Sequence, residues 1–173
     1  MLPDPLHPAV VHFPIVLMFL LPVVALGALW AIRRGAPLRL AWAAPVLVAA
    51  ALSASAWVAV ETGEQQEERA EEAVGDAVLG RHEEAAQRFL AFSVAVLVVT
   101  AAGFAAGTVG RSARIVGTTA GFALILAGVQ VGHSGGRIVY GDQSAPGLVS
   151  LGAGGGEGAA ERGGEARGEE DDD

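Results

Sequence analysis

The stretch His7-Pro8-Ala9-Val10-Val11-His12-Phe13-Pro14-Ile15 opens an apolar run that continues to about Ile32. Proline suits the first turn of a helix, where its missing N–H would have no partner anyway, so the sequence predicts a helix from Pro8 to about Ile32. A segment of some twenty apolar residues can cross a bilayer. His7 and His12 stand at the mouth of this helix, where a polar imidazole needs water, a backbone carbonyl, a metal or a cofactor as its partner.

The rest of the chain repeats this apolar character three times. The 173 residues are 52% hydrophobic with a mean hydropathy of +0.46, too apolar for an ordinary soluble domain. Further apolar runs cover Leu40 to Val60, Phe89 to about Val109, and Ile115 to His133. The sequence therefore predicts an all-α integral membrane protein, an up-and-down bundle of four transmembrane helices.

The net charge of -8 arises from two acidic blocks, one between the second and third apolar runs and one at the C-terminus. With no large basic patch, this balance argues against nucleic acid as a partner. Part of the first block has apolar residues at helical spacing, which predicts an amphipathic extracytoplasmic helix between helices 2 and 3. Its stripe is Ala70, Ala73, Val74, Ala77 and Val78. We expect a membrane domain over residues 1–142 and a Gly-rich, acidic, disordered tail over residues 143–173.

The arginines predict the orientation of the bundle. One short loop carries Arg33, Arg34 and Arg39, and a second carries Arg111 and Arg114. Cytoplasmic loops are enriched in such charges, so we expect a multi-pass protein of the cell membrane with both termini and the acidic loop on the extracytoplasmic side.

All four histidines then lie in one outer layer. His82 continues the apolar stripe four residues after Val78, so it should point inward if the helix runs past Gly80. Cysteine is absent, which excludes thiolate metal sites and covalent haem attachment, whereas imidazole is a good ligand for haem iron, zinc or copper. Candidate cofactor-binding residues are His7, His12, His82, His133 and Arg137, the last as a partner for a haem propionate. A metal would use His12, His82 and His133.

Simpler interpretations stay open for each of these residues. A single histidine at a membrane interface is often only a polar residue in the headgroup layer, His7 could simply cap its helix, and Arg137 could be an interfacial anchor. The glycine pairs of the third and fourth runs favour close helix packing over clearance for a cofactor. They are Gly103 and Gly107, Gly117 and Gly121, and Gly128 and Gly132.

Several short motifs together resemble one family. They are the opening run from His7 to Ile15, Thr62-Gly63 after helix two, His82 before helix three, and the run from Gly132 to Tyr140 with its Gly135-Gly136 pair. Over residues 5 to 142 the chain resembles the DUF2231 family of small four-helix membrane proteins. The resemblance implies a membrane protein whose domain occurs in haem-protein contexts, and it implies no specific activity.

The leading hypothesis is a membrane protein that binds b-type haem near the outer face and passes electrons between the quinone pool and an extracytoplasmic redox protein. The alternative is a non-redox zinc- or copper-binding protein or a structural subunit of a membrane complex, as a homo- or hetero-oligomer. No set of residues resembles a hydrolase triad, so an electron-transfer or structural role is favoured over that of a stand-alone enzyme.

Overall fold

The computed structural model describes residues 10–65 and 76–140 of the chain. Within these residues the chain forms four helices and no strand. They are α1 (His12–Arg33), α2 (Leu38–Glu64), α3 (Asp76–Ala102) and α4 (Gly107–Tyr140). All four are long and apolar enough to cross a membrane, so the predicted number of spans is confirmed.

The turn between α1 and α2 follows directly from its sequence. Gly35 adopts a φ of +94°, a conformation that glycine reaches without steric cost. Its N–H donates to the Ile32 carbonyl and the N–H of Ala36 donates to the Ala31 carbonyl, both at 3.0 Å. These two bonds form a Schellman motif, which satisfies the last carbonyls of α1. Pro37 follows and starts α2 at the next residue.

The four helices pack in a closed ring. Each helix contacts its neighbours in the sequence, and α1 also packs against α4. This is the predicted up-and-down bundle, so alternate helix termini meet at the same end. One end, the arginine end, carries Arg33, Arg34, Arg39, Arg111 and Arg114. The opposite end, the histidine end, carries His12, His82 and His133.

The interior of the ring is a narrow core of apolar side chains. Its main cluster comprises Met18, Leu21, Ala49, Leu52, Ala56, Phe89, Val96 and Leu124. A second cluster towards the arginine end joins Trp42 to Ala25 and Ala28. The outward faces carry large apolar side chains such as Leu40, Val109 and Leu126, each more than two-thirds exposed. An outer surface of this kind is stable in lipid, so the bundle is a multi-pass membrane protein.

The connection between the third and fourth helices differs from the prediction. α3 ends at Ala102 rather than near Val109, and α4 begins at Gly107, where φ is +70°. Arg111 and Arg114 therefore lie in the first turns of α4 and not in a loop. The true turn, residues 103–106, contains only Gly, Phe and Ala, so its hydropathy does not distinguish it from the helices on either side.

At the histidine end, the third and fourth helices both extend further than the apolar runs that predict them. α3 begins at Asp76 and passes through Gly80 without a break, so Ala77 and Val78 belong to this long helix. α4 continues past His133 to Tyr140. Ala70, Ala73, Val74 and the tail beyond residue 140 lie outside the described residues.

The glycine pairs predict close helix packing, and four of the six glycines provide it. A Cβ at Gly128 would overlap the Met18 thioether, and one at Gly121 would lie 3.6 Å from Leu21 and Pro22. Gly117 similarly faces Thr100, and Gly103 faces Trp42. Gly107 and Gly132 have open space around them, so the packing role predicted for these two is wrong.

Candidate functional site

A polar contact joins α3 to α4 at the histidine end. His82 is half-buried, and its Nδ1 lies 2.9 Å from the Oγ of Ser134. Phe89, Val96 and Thr100 are buried on the same stripe of α3, two, four and five turns further along the helix. The inward orientation predicted for His82 is thus confirmed, since its ring meets α4 rather than the exterior.

The hydrogen bonds of Ser134 assign the tautomer of His82. The Ser134 hydroxyl also lies 2.8 Å from the Val131 carbonyl, the usual acceptor for a serine inside a helix. A hydroxyl has one proton, so both contacts are hydrogen bonds only if Ser134 donates to Val131 and accepts from an Nδ1–H of His82. In the neutral ring this arrangement places the lone pair on Nε2. Ser134 therefore orients the imidazole in the manner of the outer partners that orient metal-ligating histidines.

Glycine at position 135 lets the imidazole lie directly against α4. A Cβ at Gly135 would be 3.2 Å from Cε1 of His82 and 3.5 Å from its Nδ1. That separation is tighter than most side-chain contacts, so any larger residue would press on the ring. Gly135, two residues after His133, thus forms the α4 side of the His82 site.

The other candidate ligands share this layer and face other directions. Gly128 packs against Met18, and His12 and Ser134 each lie six residues further towards the histidine end, about 9 Å along their helices. His12 and His133 are both exposed. His133 lies two residues from the inward-facing Gly135, which turns it to about the opposite side of α4.

The predicted site has two further members, His7 and Arg137. His7 lies outside the described residues, as does the side chain of Arg137, although its backbone belongs to α4. Among the residues that the structure describes, no three His, Cys, Asp or Glu side chains come together in a group that could hold a metal ion. The ligand set His12, His82 and His133 stays a prediction.

A second polar cluster, at the arginine end, did not emerge from the sequence. The indole N–H of Trp42 donates to the Thr100 carbonyl at 2.8 Å, joining α2 to α3. The guanidinium of Arg114, which is only 9% exposed, donates through Nη1 to the Gly103 carbonyl. The Thr100 carbonyl also accepts the backbone N–H of Gly103 at 3.0 Å, so the indole is its second donor, whereas Arg114 donates to a carbonyl just past the end of α3. In the sequence, the feature that indicates this cap is the position of Arg114, about one helical turn before Gly117, which faces Thr100 of α3.

The two polar contacts between α3 and α4 stand one bilayer core apart. Gly103 and His82 are separated by 21 positions of the chain, and Arg114 and Ser134 by 20. At about 1.5 Å per helical residue, the spacing is about 30 Å, which matches the thickness of the hydrocarbon layer. The histidine site and the Arg114 cap thus have the spacing expected for the two boundaries of one bilayer core.

A ring of four apolar helices of spanning length, with polar contacts between the third and fourth helices at both ends, defines a four-helix integral membrane protein. The family described as "Predicted membrane protein (DUF2231)" matches residues 3–145. The chain belongs to this family. Neither a curated protein nor a solved structure matches it.

Proposed function

We propose that this protein binds b-type haem at the histidine end and transfers electrons at the outer face of the membrane, with His82 as the first of the residues that would hold the haem. The observation that carries the proposal is the hydrogen-bond chain from His82 through Ser134 to the Val131 carbonyl. This chain holds one imidazole in a fixed orientation at the histidine end, as outer partners do for metal-ligating histidines.

A single oriented imidazole suits haem better than it suits zinc. Haem iron takes one or two axial ligands from the protein, whereas a zinc site draws three or four ligands from it. The other residues that would hold the haem are His12 and His133, which belong to the same layer, and His7, which lies outside the described residues. The outward orientation of His12 and His133 favours a group at the rim of the bundle over one inside its packed core.

The proposed orientation puts this site on the extracytoplasmic side. The five arginines of the arginine end would face the cytoplasm by the positive-inside rule, with both termini outside the cell membrane. Electron exchange would then involve quinone in the apolar outer part of the bilayer or an extracytoplasmic redox protein. Arg137, in the last turns of α4, is the proposed partner for a propionate.

Absorption spectroscopy of the protein purified from haem-replete cells tests the proposal. We expect a Soret band and a b-type pyridine haemochrome spectrum. His82→Ala should lose the spectrum, while Arg111→Gln, at the opposite end, should keep it. A colourless wild-type protein, or a spectrum that survives His82→Ala, would refute the assignment.

The alternative metal-binding function has its own readout in the same preparation. Zinc or copper at one equivalent per chain in colourless protein, lost on substitution of His12, His82 or His133, would support the non-redox alternative. A preparation with neither haem nor metal would favour a structural subunit.

A further inference from the structure

We propose that the arginine end binds the headgroups of anionic phospholipids. Four of its five guanidinium groups are exposed, those of Arg33, Arg34, Arg39 and Arg111, and they have no carboxylate in neighbouring sequence, because residues 5–60 and 85–141 contain neither Asp nor Glu. The acids of the described residues stand at or near the histidine end, where Glu84 already forms an ion pair with Arg88 at 2.6 Å. No carboxylate of the described residues therefore neutralises the positive charge at the arginine end, and an anionic headgroup would do so.

The arginines lie at the height of a phosphate layer. Trp42 bonds to Thr100, and Gly117 faces the same threonine, so these three residues share one level of the bundle. Arg39 and Arg114 each lie three residues beyond that level, about 4.5 Å further along their helices. Since the Arg114 cap marks the boundary of the apolar span, Arg39 at the same height stands at the membrane interface.

Apolar side chains border the arginines on the side of the bilayer. Trp30 is 61% exposed and lies under the guanidinium of Arg34, with 5.2 Å between the Cζ atom and the ring centroid. Leu40 is 76% exposed next to Arg39, and Ile115 is 55% exposed next to Arg114. An anionic lipid contacts both kinds of group, because its phosphate binds the guanidinium groups while its acyl chains cover the apolar side chains.

The exposed tryptophans provide a test that distinguishes the two ends of the bundle. Trp57→Phe leaves Trp30 as an exposed indole at the arginine end, and Trp30→Phe leaves Trp57 towards the histidine end. Trp42 is 0% exposed, so lipid chains do not reach it. Each variant is placed in vesicles of equal parts phosphatidylcholine and phosphatidylglycerol, with brominated, quenching chains on one lipid or the other.

We expect Trp30 to be quenched more strongly when phosphatidylglycerol carries the bromine, with about fivefold enrichment of that lipid for each arginine involved. Trp57 should respond equally to both lipids. Equal quenching of Trp30 by both lipids would overturn the proposal, as would the same anionic preference at Trp57.

A pair of charge-matched variants in the Trp57→Phe protein identifies the groups responsible. Arg39→Gln with Arg111→Gln removes two exposed guanidinium groups from the arginine end, and neither substitution touches Trp30. Arg81→Gln with Arg88→Gln removes the same charge from the other half of the bundle. The first pair should reduce the preference several-fold and the second should leave it unchanged; equal effects would refute a localised site.

Inorganic phosphate separates a lipid site from a site for a free anion. A few tens of millimolar phosphate, at constant ionic strength, should leave the Trp30 preference intact, because free phosphate has no acyl chains to cover Trp30 and Leu40. Loss of the preference under these conditions would refute the lipid as the occupant.

Discussion

Substitution of Gly103 by alanine should destabilise the bundle, because the indole of Trp42 occupies the space that the new methyl group needs. The added Cβ would overlap Nε1 of Trp42 and lie 2.8 Å from its Cε2, where ordinary contact begins at 3.4 Å. Trp42 is fully buried, so relief of the overlap requires movement of the whole indole or of the turn after α3. Movement of the ring breaks its 2.8 Å hydrogen bond to the Thr100 carbonyl.

Two terms give the magnitude. Overpacking of a well-packed site costs about 1 to 3 kcal/mol. Loss of the indole hydrogen bond adds about 0.5 to 1.5 kcal/mol. We therefore expect Gly103→Ala to lower the free energy of unfolding by about 2 to 4 kcal/mol, a large part of the stability of a domain of this size.

Unfolding in mixed micelles, followed by far-UV circular dichroism as dodecyl sulfate replaces dodecyl maltoside, measures this change. Gly80→Ala is the matched control, because Gly80 lies inside α3 with nothing within 4 Å of an added Cβ. This control should be more stable than the wild type by about 0.5 to 1 kcal/mol, since alanine restricts the unfolded chain.

A double-mutant cycle with Trp42→Phe isolates the clash itself. Phenylalanine is smaller than tryptophan and makes no bond to the Thr100 carbonyl, so its ring can move away from the new methyl, and Gly103→Ala should cost at least about 1 kcal/mol less in the Trp42→Phe background. If Gly103→Ala alone is too unstable to purify, the comparison of Trp42→Phe with the double variant still gives the cost of the new methyl group without the indole. Additive effects, or a Gly103→Ala protein as stable as Gly80→Ala, would refute the packing argument.

The remaining predictions concern the two ends of the bundle. Ser134→Ala should remove the acceptor that holds the proton on Nδ1 of His82, so ¹⁵N spectra of the imidazole should change from a dominant Nδ1–H form to a mixture; an unchanged spectrum would contradict the tautomer assignment. Arg114→Ala should lower stability by about 1.5 to 3 kcal/mol in the micelle assay, since it removes a charged donor from the end of α3. Since the chain has no cysteine, Ala36→Cys and Gln65→Cys test the orientation, and an impermeant maleimide applied to intact cells should label only Gln65→Cys.

The sequence was sufficient for the features that depend on apolar length and on chain order. Four long apolar runs predict four spans, and short turns between the first two and the last two spans predict antiparallel neighbours. The inward orientation of His82 could also be predicted, because it continues an apolar stripe that crosses Gly80. These features depend on periodicity within a single helix, which a sequence displays directly.

The features that the sequence missed depend on contacts between helices. A turn made of Gly, Phe and Ala has the hydropathy of a span, so the end of α3 could not be located by composition. Arg114 was predicted to lie in a short loop between two apolar runs, yet it lies in α4, where it donates to the Gly103 carbonyl just past the end of α3. The shared layer of the histidines was expected from topology, but the outward direction of His133 follows from its phase relative to Gly135, which faces His82.

The two polar contacts between α3 and α4, His82 with Ser134 and Arg114 with Gly103, also limit how the protein can adapt to bilayers of different thickness. A span fastened at two points cannot shorten or lengthen, so a thicker bilayer must thin around it and a thinner one must let it tilt. Each ångström of mismatch costs a fraction of a kilocalorie per mole, enough to sort proteins between membranes. The protein should consequently concentrate in membranes whose hydrocarbon thickness matches the distance from the Arg114–Gly103 contact to the His82–Ser134 contact.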